Sequence, residues 1–226
     1  MDSFSFGSNF PASFFQGHEE VKKEFLATNI NSACLESCKR ELNALIASAA
    51  ISTSSKEFCY RCFSVCPAEF FYMPTSTTGK YHGGQTSSEN SVGGNIVHTG
   101  KVLGMCPRVL RRYESFLGVD FQIAAEALRV GCILHDICKV PAGSIWSLGT
   151  HGEAGAELVR GVEGFKSLEF GEWVAFAIGG HMYLWRFADI WNMIINSIPS
   201  IDSGVGTDII GIAVGFMLSE CDYYSI

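Results

Sequence analysis

The stretch Ala124 to Lys139, AAEALRVGCILHDICK, constrains this chain more than any other. Its apolar residues crowd a helical rather than a two-residue repeat. It ends in His135 and Asp136, two polar side chains that an apolar interior does not accept without compensation. A carboxylate placed there must be paired or coordinated, and a divalent cation bound by both side chains supplies the compensation. The alternative is a structural His-Asp pair that binds nothing. Helical spacing places Lys139, four residues after His135 and three after Asp136, near the same rim.

The rest of the chain reads as helices joined by polar segments. Glu19 to Ala50 repeats apolar residues every three to four positions, which predicts one or two amphipathic helices, and the Ser/Thr cluster Ile51 to Ser55 ends them. Phe58 to Phe71, rich in aromatics, is a second helix or an irregular packed segment. Met73 to Gly94 shifts to Pro, Thr, Ser and Gly, which predicts a surface loop of functional length. Helical segments follow at Asn95 to Met105, Val109 to Phe116, Phe121 to Val140, Gly152 to Arg160, Phe170 to Asn196 (broken or bent) and Asp208 to Cys221. No two-residue alternation and no internal repeat is visible. The expected class is all-α, with residues 1–72 as a helical N-terminal extension packed on a core of residues 73–226.

With 47% hydrophobic and 17% charged residues over 226 positions, the chain can bury a sizeable core. Its longest uncharged apolar run, Ile209 to Leu218, is too short to span a bilayer, and MDSFSFGSNF lacks the basic start and apolar stretch of a secretory signal. The expectation is a cytoplasmic protein with no membrane partner. The odd count of 9 cysteines favours reduced, mostly buried thiols over a disulfide framework. Cys59, Cys62 and Cys66, with Cys34 and Cys38 able to fold back, leave open a structural zinc or iron-sulfur site beside buried thiols. Nothing in the sequence sets an oligomeric state.

Further metal-capable side chains fall in the helical segments: His98, His151, His181 and Asp222. Asp222 ends the apolar run IIGIAVGFMLSECD, where it meets either a cation or solvent. Thr150 and Glu153 match a capping box that starts a helix at His151. His82 and Tyr81 lie in the long loop, covering a site or exposed on the surface. Arg108, Arg111, Arg112 and Arg129 are phosphate contacts or a solvated basic face.

The order His98, His135-Asp136, Asp222 resembles the H…HD…D signature of the HD superfamily of metal-dependent phosphohydrolases. His151 and His181 resemble the additional ligands of its two-metal branch. Over roughly Phe70 to Asp222, the runs FFYMPTSTTGKYH, GGNIVHTGKV, ILHDICKV and THGEAGAEL are similar to bacterial 3′-to-5′ exoribonucleases, whose HD domain follows an OB-fold, and to small phage HD proteins. Pro74, His82, Gly93, Gly94 and His98 would match their Pro-Ala-Ala, histidine and Gly-Gly-Leu-x-x-His elements. The chain departs from them in a long insertion between His82 and Gly93, in Met182 after His181 where relatives pair histidines, and in having no room for an OB-fold.

The resemblance implies His98, His135, Asp136 and Asp222 around one divalent ion and Asp136, His151 and His181 around a second, with Asp136 bridging. The expected cofactor is one or two divalent ions, and the donor set admits Mn, Fe, Co, Ni, Zn or Mg. The expected catalytic residues are Asp136 and Lys139, and the expected substrate contacts are Lys139, His82, Tyr81 and Arg112. The expected activity is hydrolysis of phosphate ester or phosphodiester bonds in a nucleotide or short oligonucleotide, since a formal charge of −7 does not attract a long polyanion. The alternatives are a 3′-to-5′ exonuclease on RNA or single-stranded DNA, and a nucleotide-binding module without turnover.

Overall fold

A helix with a broad apolar face must turn that face into a bundle. In the computed structural model, which describes residues 32–71, 73–75, 88–90, 92–139, 151–184 and 206–225, that helix is Phe121–Leu134. We label the helices α1 (Ser32–Ser48), α2 (Thr53–Val65), α3 (Gly94–Leu117), α4 (Phe121–Leu134), α5 (His151–Gly161), α6 (Gly171–Leu184) and α7 (Gly206–Ser225). Short 3₁₀ turns at Ala68–Phe71, Ser88–Asn90, Gly118–Asp120 and Phe165–Ser167 connect or flank them. The fold is all-α, with no strand among the described residues.

Helix α4 buries Ala124, Ala125, Leu128, Cys132, Ile133 and Leu134 against α3, α6 and α7. Each large apolar side chain taken out of water there contributes about 1.5–3 kcal/mol. Gly131 lets α7 approach, since a Cβ would stand 3.4 Å from Leu218 Cδ2. Helix α6 packs on α5 and α7, so α3 to α7 surround one interior. Helices α1 and α2 lie against α3 and α4 respectively. The join between α2 and α4 is polar: the Ser52 amide and the Ser55 hydroxyl both donate to Glu126 Oε1, at 3.0 and 2.5 Å.

Several boundaries differ from the sequence expectation. The Ser/Thr cluster after α1 starts α2 rather than lying between elements, because Ser52 caps it by accepting from the Ser55 amide at 3.2 Å. Segments Asn95 to Met105 and Val109 to Phe116 are one helix running through Pro107. Pro107 removes one helical N–H, but burial of Val102, Cys106, Val109 and Leu110 on the core face keeps the helix continuous. Helix α4 stops at Leu134 instead of Val140, and α7 runs a turn beyond Cys221 to Ser225. The part of the first helical expectation before Ser32, most of the long loop and the second half of Phe170 to Asn196 lie outside the described residues.

The thiols of Cys59 and Cys62 are fully buried in α2, and burial pushes Cys59 up to about 12. Among the described residues no metal-capable grouping includes Cys59, Cys62 or Cys66.

Candidate metal centre

Where α4 ends, the chain turns rather than continuing as helix. His135 is the C-cap residue, the Ile137 amide donates to the Leu134 carbonyl at 3.0 Å, and the Lys139 amide donates to the Asp136 carbonyl at 2.7 Å. This turn, and not helical spacing, brings the Lys139 ammonium to 2.7 Å from Asp136 Oδ2. His98 comes from the second turn of α3, His151 from the start of α5, His181 from the last turn of α6 and Asp222 from the last turns of α7.

Asp136 divides its two oxygens between two groups of imidazoles. Oδ2 lies 3.4 Å from His135 Nε2 and 3.7 Å from His98 Nε2. Oδ1 lies 3.1 Å from His151 Nε2 and 3.6 Å from His181 Nε2. Asp222 Oδ1 completes the first group, 3.0 Å from His98 Nε2 and 4.0 Å from His135 Nε2. The two remote nitrogens of His151 and His181 stand 3.2 Å apart.

Three of these imidazoles are oriented from behind. His135 Nδ1 donates to the Cys132 carbonyl at 2.9 Å, and His181 Nδ1 donates to the Ile178 carbonyl at 2.7 Å. His98 Nδ1 faces Glu89 Oε2 at 3.0 Å. An acceptor on Nδ1 fixes the proton there and leaves the Nε2 lone pair pointing at Asp136, the tautomer a metal ligand needs.

Whether the residues fit a cation is answered by their unmet bonding. His135 Nε2 and Asp136 Oδ1 are buried with no hydrogen-bond partner, although such atoms are costly to leave unpaired. Burial opposes charge on Asp136, yet Lys139 and the imidazoles hold its carboxyl well below the usual range. Burial likewise opposes charge on His98, but Asp222 and Glu89 outweigh it and lift the ring to about 9. Asp222 is held low in spite of burial, chiefly through its bond to His98. A pocket that grips a proton this firmly is electrostatically a cation site. Imidazole and carboxylate donors suit divalent first-row ions.

Residues 96–198 match the family model of the HD domain. That span carries an HD domain. HD domains are metal-dependent phosphohydrolases as a class and bind divalent ions; the matched span holds His98, His135, Asp136, His151 and His181, while Asp222 lies beyond it. No curated protein and no solved structure matches the chain.

The structure therefore brings together all six of the metal-capable residues picked from the sequence, with Lys139 beside them. Arg112 is engaged elsewhere: it bonds Glu220 and lies 5.3 Å from the Tyr224 ring. Glu220 is two residues from Asp222 and points away from it on the helix. Tyr81, His82 and Thr150 lie outside the described residues.

Sequence reasoning missed Glu89, inside the segment taken as a surface loop. It is fully buried and bonds both His98 and Lys101. The signal was the pair Gly93-Gly94. Gly93 adopts a φ of 77°, open mainly to glycine, and a Cβ on Gly94 would stand 1.8 Å from the Glu89 carbonyl oxygen. Only glycine lets the Glu89 turn press against the start of α3. Gly152 has the same role at α5: a Cβ would lie 2.7 Å from the Ile178 carbonyl that orients His181. Asn95 was missed as well, fully buried with neither amide atom paired and one helical turn before His98.

Proposed function

We propose that this chain hydrolyses phosphate ester or phosphodiester bonds of a nucleotide or short oligonucleotide, with residues 73–226 as the catalytic core and residues 1–72 as an extension packed on it. The observation that carries the reading is the division of Asp136 between two imidazole groups. His98, His135, Asp136 and Asp222 would hold one divalent ion, and Asp136, His151 and His181 a second.

Ions held there supply Lewis acidity, lowering the pKa of a water and neutralising charge on oxygens at phosphorus. The protein's own part is orientation and electrostatics. Glu89, the Cys132 carbonyl and the Ile178 carbonyl fix the imidazoles before substrate arrives. Lys139, His151 and Asp222 are the members with partly exposed side chains, at 24, 21 and 19%, and they mark the side from which a phosphate enters. Lys139 is placed to leave Asp136 and pair with a non-bridging phosphoryl oxygen as charge builds there.

A small substrate is favoured over a long strand. Among the described residues, Arg112 pairs with Glu220, Arg160 with Glu157 and Glu172, and Lys101 with Glu89, so these cations do not form a free basic track. Tyr81 and His82 keep their place as proposed substrate contacts, and Arg112, paired with Glu220, does so where substrate reaches beyond Lys139.

The test is a hydrolysis screen of nucleoside mono- and triphosphates, cyclic nucleotides and short oligonucleotides with added Mn. Turnover that disappears in Asp136→Ala and falls about 100- to 1,000-fold in Lys139→Met is expected. Nucleotide binding without turnover across several metals would replace the enzyme with a binding module. Strongly salt-sensitive binding and shortening of long single strands would favour the exonuclease.

A further inference from the structure

Three thiols that the imidazole centre does not use converge in the core behind it. Cys106 comes from α3, Cys132 from α4 and Cys221 from α7, and all three are fully buried. Their Sγ atoms lie within 4.8 Å of one another, and those of Cys106 and Cys132 are 3.3 Å apart. A buried cysteine generally packs as a small apolar residue among carbons. Here three sulfurs from three separate helices face a common point, which is the arrangement of a donor set.

The spacing suits an ion. Sulfurs arranged in a triangle around a cation at about 2.3 Å stand about 4 Å from each other, wider than the 3.3 Å pair and inside the 4.8 Å limit of the group. Charge settles on one of the three sulfurs, Cys106, while burial pushes Cys132 up and the bond to Cys106 pushes Cys221 up. Hydrogen bonds from Cys132 and Cys221 pull Cys106 down to about 5 against burial, with Arg129 adding a favourable positive charge. Among the described residues no fourth metal-capable side chain joins the group, and its burial leaves no place for solvent.

We infer that Cys106, Cys132 and Cys221 form a separate, sulfur-only site for a thiophilic d10 cation that accepts three ligands, with monovalent copper the best match. Thiolates select soft ions over the harder ones that imidazole and carboxylate prefer, so the two sites would sort metals by donor type. Binding sends the thiol protons to solvent. Three helices are tied together by it, and they are the ones that deliver His98, His135 and Asp222. Cys132 also supplies the carbonyl that orients His135, and Cys221 precedes Asp222 in the chain.

The experiment is an anaerobic titration of the reduced full-length chain with Cu(I) against a chromophoric Cu(I) chelator, followed by X-ray absorption at the copper edge. One copper per chain with three sulfur neighbours at about 2.3 Å is expected. Asp136→Ala should keep that copper and Cys59→Ser should keep it, whereas Cys132→Ala and Cys106→Ala should lose it while circular dichroism shows the helices intact. Nitrogen neighbours, fewer than three sulfurs, or full retention in Cys132→Ala would overturn the assignment. If a cysteine variant does not fold, the sulfur count in the unsubstituted chain decides alone.

Discussion

Glu89 Oε2 lies 3.0 Å from His98 Nδ1 with both side chains fully buried, so a carboxylate outside the ligand set fixes the ring that faces Asp222 and Asp136. Partners of this kind typically account for about 10- to 100-fold in metal affinity. Glu89→Gln should weaken Mn binding by that factor, measured by calorimetric titration, while helical circular dichroism stays the same. Unchanged affinity would mean that Glu89 only fills space.

Gly152 gives a way to separate the two ligand groups. Its replacement by alanine drives a Cβ against the Ile178 carbonyl and the His181 ring, so Gly152→Ala should cost the His151–His181 side its ion and leave the His98–His135 side loaded. Metal stoichiometry should fall from two per chain to one. Gly161→Ala, which meets open space, is the control and should keep both.

Asn95 carries a fully buried amide with no partner for either atom, a cost of about 1–3 kcal/mol. Asn95→Leu, similar in shape, should therefore raise the unfolding midpoint in a thermal melt. A lower midpoint would show that the amide is satisfied in solution.

Glu126 is held below the ordinary glutamate range: burial opposes its charge, but bonds from Ser52 and Ser55 outweigh burial. Because the folded pKa is the lower one, the stabilisation is present above the unfolded value of about 4.3 and is lost as pH falls through the folded value. Glu126→Gln should unfold at lower denaturant than the parent at pH 7, by about 1 kcal/mol for this half-exposed group. The gap should narrow as pH falls below the ordinary glutamate range. A gap independent of pH would contradict the assignment.

The all-helical class and all six metal-capable side chains were legible in the sequence because periodicity and donor chemistry are local properties. The continuity of α3 through Pro107 was not, because it depends on the packing of Cys106 and Val109 against helices distant in sequence. Lys139 was found for the wrong reason: helical spacing predicted a contact that a turn after Leu134 makes instead. Glu89 lay hidden in a Ser- and Gly-rich segment that reads as solvent-facing, and its burial follows from how closely Gly94 lets that segment approach. The Cys106, Cys132 and Cys221 cluster has no sequence spacing to announce it, since it forms only when three helices pack together.

Asp136 is proposed to serve two ions at once, and elemental analysis of the purified chain against Asp136→Ala tests this most directly. Two divalent ions per chain in the parent, and neither retained at the imidazole centre in the variant, is the predicted result. Equal divalent metal content in the two proteins would contradict it, leaving His135 and Asp136 as structural residues.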